Sequence, residues 1–92
     1  MIRDKQVASL VINALEEANK LLADSADMVK SRCTDAEYQA YRSGMAHVQG
    51  RLFFLVMEPI YREHPSLAPP DAPQEFLDAW KKASKRQDPD PA

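Results

Sequence analysis

Apolar side chains recur in steps of three and four through the first third of this chain: Val7, Leu10, Val11, Ala14, Leu15, Ala18, Leu21, Leu22, Met28 and Val29. That spacing follows the roughly 3.6-residue turn of an α-helix. It predicts one long amphipathic helix over about residues 4–32, with Glu16, Glu17, Lys20, Asp24 and Asp27 on its solvent face. The run Thr34-Asp35-Ala36-Glu37 then interrupts the stripe. A threonine followed three residues later by glutamate is a capping box, the chemistry of a helix start.

The same rhythm resumes with Tyr38, Tyr41, Met45, Val48, Leu52 and Leu55. A second helix is predicted over about residues 35–64, with a kink near Pro59, which lacks a backbone donor. Two amphipathic helices joined by a tight turn fold back as an antiparallel hairpin. Residues 65–73 hold four of the seven prolines and read as a stiff, extended connector. Asp71 is then the expected N-cap, with Gln74 in the capping-box position, of a third helix over about residues 72–86. Its Phe76, Leu77, Trp80 and Ala83 share one face. So short a helix is marginal in water and must dock, on the hairpin or on a partner. Residues 1–87 therefore read as a single helical domain, and 88–92 as a disordered tail.

A helical wheel of the second helix shows a further face opposite the stripe: Ala36, Ala40, Ser43, Gly44, His47, Arg51, Phe54 and Glu58. Its first members are small and admit a closely packed neighbour. The segment Leu52 to Met57 is apolar all round, which predicts burial on every side. The first helix covers only one of those sides. The expected fold is therefore all-α: a long antiparallel two-helix hairpin plus a short C-terminal helix, dimerising into a four-helix bundle. Phe53, Phe54, Met57, Phe76, Leu77 and Trp80 are the expected interface residues.

Composition points the same way. The chain has 92 residues, and thirteen of its apolar side chains are alanines, too small to build a thick core alone. Small helical domains of this kind complete their cores by self-association, so a homodimer is expected. The net charge of −2 gives no general attraction to nucleic acid. Lys81, Lys82, Lys85 and Arg86 form one basic cluster, which suits the negative end of the third helix and leaves weak nucleic-acid binding as a distant alternative. The N-terminal segment lacks the apolar core of a signal peptide, and Leu52 to Met57 is far too short to span a bilayer. The single cysteine, Cys33, cannot form an intramolecular disulfide and suits a reducing compartment. Together these features suggest a soluble, cytoplasmic protein with no membrane partner.

Chemistry is sparse. His47, Arg51 and Glu58 share one side of the second helix, and Tyr61 and His64 lie near its end. These five could form a polar pocket at a subunit boundary, for a small ligand or a minor catalytic role. Neither histidine has a second at helical spacing, Glu-x-x-His is absent, and Cys33 has no Cys-x-x-Cys partner. Glycine-rich phosphate loops and serine elbows are missing too. No metal, cofactor or catalytic residue is expected. The leading expectation is a non-enzymatic protein–protein interaction module, a regulator, adaptor or neutralising partner of an unidentified protein.

Overall fold

The structure, a computed structural model, describes residues 1–86, which contain helices and turns and no strand. Helix α1 spans Lys5–Arg32. It starts where Asp4 Oδ1 accepts the N–H groups of Gln6 and Val7, at 2.9 and 3.1 Å. Lys30 and Arg32 in its last turn oppose the negative end of the helix dipole. Helix α2, Asp35–Leu52, starts with a complete capping box. Glu37 N–H donates to Thr34 Oγ1 at 3.2 Å, and Thr34 N–H donates to Glu37 Oε1 at 2.9 Å.

The backbone and side-chain hydrogen bonds from Thr34 hold the Glu37 carboxyl below its ordinary pKa. A carboxylate depressed in the folded state stabilises above its unfolded pKa and stops doing so as the pH falls through the folded value. The start of α2 is therefore expected to fray below the usual carboxylate range. Glu37→Gln, which keeps the reach but not the charge, is expected to remove that acid dependence in a circular dichroism titration. Thr34→Ala, which removes the cap itself, is expected to lower stability by about 1 kcal/mol in urea unfolding.

The hairpin is antiparallel and in clear register. Ser25 Oγ and Tyr41 OH lie 2.6 Å apart, and Gln49 Nε2 donates to the carbonyl and the side-chain oxygen of Asn19, each at 3.4 Å. After α2 the helix widens into one π-helical turn, Phe53–Met57, in which Phe53 O accepts from Glu58 N–H five residues on. Helix α3, Glu58–Glu63, follows directly. Pro59 has no N–H for the Leu55 carbonyl and its ring crowds that carbonyl, so a wider turn just before it relieves the clash.

The extra residue has a large consequence. One inserted residue turns everything after it back by about 100°. On an uninterrupted helix Tyr61 would point away from α1. With the π-turn, Met57, Ile60 and Tyr61 all face inward and are buried.

The connector is folded rather than extended, which corrects the expectation from its prolines. Pro65–Leu67 form a 3-10 turn, and Ala72 N–H donates to the Pro69 carbonyl at 3.1 Å. Proline's fixed φ serves a tight turn as well as an extended strand. Helix α4, Gln74–Arg86, is the predicted third helix. Its start also differs from expectation. Pro73 O accepts from Phe76 and Leu77 N–H at 3.0 and 3.1 Å, whereas Asp71 lies in the preceding turn. The reason is local: Ala72 precedes a proline and is pushed out of the α region, so no helix begins there. Gln74 donates instead to Asp78, at 2.9 Å.

The buried core is Ala8, Ile12, Met57, Ile60, Tyr61 and Trp80, all at one end of the hairpin. Trp80 stacks on Phe76 at 5.7 Å between ring centroids and meets Tyr61 at 5.2 Å and Phe53 at 6.4 Å. This end is the head. The remainder, the arm, is two helices side by side, and α2 contains no buried residue. The molecule measures 59 × 25 × 20 Å, with a radius of gyration of 16.4 Å. A compact chain of this length would have about 12 Å.

Candidate interaction surface

The hairpin has two broad sides, and they differ in chemistry. On α1 the residues turned toward α2 include Leu15, Asn19, Leu22 and Ser25, all partly buried. Going around α1 in one sense at about 100° per residue gives Ala14, Leu21, Leu10 and Met28. Going around α2 in the matching sense from Tyr41 and Met45 gives Val48 and Gly44. Because the helices are antiparallel, these two sets emerge on the same side of the hairpin. Leu10 and Leu21 are each 67% exposed, Met28 57%, and Val48 51%. Leu55, on the π-turn above Val48, is 60% exposed. One side of the hairpin is thus an apolar face that runs along α1 from Val7, itself 45% exposed, to Met28 and lies open to solvent.

The opposite side is polar along the arm. Glu16, Lys20, Asp27 and Lys30 on α1 and Asp35, Arg42 and Gln39 on α2 are exposed there. At the head, this same side is where α4 docks. Ile12 and Phe53 both turn toward it, and both belong to the cluster around Trp80. The fold therefore covers one side with α4 and charge, and leaves the apolar side bare.

The six expected interface residues divide sharply. Trp80 and Met57 are buried, and Phe53, Phe76 and Leu77 are partly buried against them, so the aromatic face of α4 docks within its own chain. Phe54 alone is outside, 59% exposed and edge-on to Phe53 at 5.1 Å. The all-round burial expected for Leu52 to Met57 does not occur within one chain, since Phe54 and Leu55 remain in solvent. The small-residue face of α2 is likewise exposed from Ala36 to Arg51.

The five residues of the expected polar pocket do not converge. His47 and Arg51 are exposed on α2. Glu58 accepts from Arg62 at 2.7 Å, an i,i+4 pair. Tyr61 is buried beside Trp80, where desolvation, and secondarily the charge of Glu16, raise its phenol above the ordinary pKa. His64 Nε2 lies 2.7 Å from the Ile2 carbonyl, and Glu63 accepts from Ile2 N–H at 3.1 Å and from the Met1 amino group. The π-turn is the physical reason: it rotates Glu58 and Tyr61 away from the side that carries His47 and Arg51.

Cys33 is exposed at the arm's tip, between α1 and α2. Lys81 and Lys82 are exposed, while the side chains of Lys85 and Arg86 and the expected tail 88–92 lie outside the described residues. Among the described residues no group of histidine, cysteine and carboxylate side chains is arranged to hold a metal ion. No described helix is long and apolar enough to cross a membrane. Comparison with known proteins yields no match: no family model fits the chain, and neither a curated protein nor a solved structure resembles it significantly.

Proposed function

We propose that this chain is a non-enzymatic protein–protein interaction module, a regulator, adaptor or neutralising partner, whose bare arm face is completed by partner helices. A second copy supplies them, so that two hairpins laid face to face form a homodimeric four-helix bundle. The one-sided arm carries this reading. Each large apolar side chain left in water forgoes about 1.5–3 kcal/mol that burial would contribute. The excess radius of gyration agrees, since an arm without a core of its own is what a bundle contributes to a shared one.

The size is sufficient. From Val7 to Met28 the face runs for about 32 Å and is two helices, about 20 Å, wide. That is about 600 Å² per copy and about 1,200 Å² in total, the lower end for specific complexes. The lone exposed Cys33 favours a reducing compartment, hence the cytoplasm, as the place of action. A ligand or catalytic pocket has less support, because Glu58, Tyr61 and His64 are already engaged within the chain.

Mass action ties the stability of a self-completing module to its own concentration. The thermal midpoint is expected to rise over about a hundredfold increase in protein concentration, read by circular dichroism. A midpoint that stays fixed over that range would remove the second copy from this reading.

A further inference from the structure

We infer that the two copies pair with their heads at the same end, α1 of each lying over α2 of the other, about a two-fold axis running along the bundle. This rests on the self-association proposed above and adds its arrangement. Charge along the two edges of the apolar face is the first argument. The outer edge on α1 carries acid, Glu17 and Asp24, whereas the outer edge on α2 carries the cation Arg51, with His47 one turn before it. All four are exposed. An axis along the helices lays the acidic edge of each copy on the basic edge of the other. An axis across the helices, with the heads at opposite ends, lays acid on acid and base on base. Opposite charges across an interface fix its register, and like charges reject the alternative.

Height along the arm gives the second argument. Ser25 is level with Tyr41, and Asn19 with Gln49. Glu17 and Arg51 therefore stand at nearly the same height within one hairpin. They meet across the interface when the heads coincide, whereas with the heads opposed they lie on opposite edges of the bundle, about two helix widths apart.

Gly44 supplies the third. It lies in the interior of α2, and beyond its chain neighbours and the adjoining helix backbone no atom of its own chain comes within 4 Å of where a Cβ would sit. Glycine there weakens the helix and relieves no crowding inside the chain. With heads together, the partner's Leu21 comes over this notch, and the missing side chain admits it.

Cys33 is the chain's one cysteine, exposed at the arm's tip, so a spin label there reports directly on the arrangement. With bundle axes about 10 Å apart, pulsed dipolar spectroscopy of the labelled dimer is expected to read below about 30 Å. Any longer distance overturns the arrangement while leaving the dimer intact. Opposed heads would separate the tips by roughly the length of α1, over about 40 Å. A single-chain molar mass for the same labelled sample would instead overturn the self-association beneath it. Charge reversal gives an independent reading. Glu17→Lys and Arg51→Glu are each expected to weaken association about tenfold, and the two combined to restore it. Failure of the combination to restore it contradicts the pairing.

Discussion

Trp80→Ala is expected to cost about 3–5 kcal/mol and to leave much of the chain unfolded at room temperature. Trp80 is 3% exposed and joins Phe53, Tyr61 and Phe76 in the single ring cluster of the head. A domain this small has a total stability of only about 5 kcal/mol to draw on. The loss falls on α4 first, since a helix of thirteen residues is marginal without its docked face. Ala8, Ile12 and Ile60 then lose their cover, because the described residues form one buried cluster. Trp80→Phe, which keeps most of the apolar surface, is expected to cost far less. Urea unfolding followed by circular dichroism measures both, and an unchanged midpoint for the alanine variant would mean that α4 is no part of the core.

The second large effect lies at the other end of the molecule and leaves the fold alone. Leu21→Glu combined with Val48→Glu is expected to weaken self-association by more than about a hundredfold, with little change in the stability of the single chain. Both side chains are more than half exposed in one chain, so a carboxylate at either stays hydrated there. In a face-to-face bundle both sites lie near the middle of the apolar face. An unpaired charge desolvated there costs several kcal/mol, and Glu17 and Asp24 nearby add repulsion. Sedimentation equilibrium and circular dichroism on the same samples separate the two quantities. A double variant that still forms a dimer with unchanged affinity would place the interface on some other surface.

The helices of this fold are legible in sequence wherever local chemistry sets them. Thr34 and Glu37 mark the start of α2 because a capping box needs only four neighbouring residues. The hairpin follows from two periodic stripes on either side of that box. The π-turn is illegible for a physical reason: Leu52 to Met57 is apolar on every side, so the stripe carries no phase there and an inserted residue leaves no trace. The polar pocket depended on that phase. A uniform wheel brings Glu58 and Tyr61 toward His47 and Arg51, and the inserted residue turns them away. Asp71 and Pro73 show the same limit on a smaller scale, since a good capping residue yields to the proline two places on. The bare face was half legible. Its apolar positions stand in the sequence, but that α4 docks on the opposite side, leaving Leu10, Leu21 and Met28 in solvent, follows only from how the head packs.

The central claim is that the arm face is one half of a shared core, and the molar mass in solution tests it most directly. Light scattering across a dilution series is expected to give about twice the 10.4 kDa of the single chain, falling toward that value only at high dilution. A mass of 10.4 kDa at every concentration would contradict it.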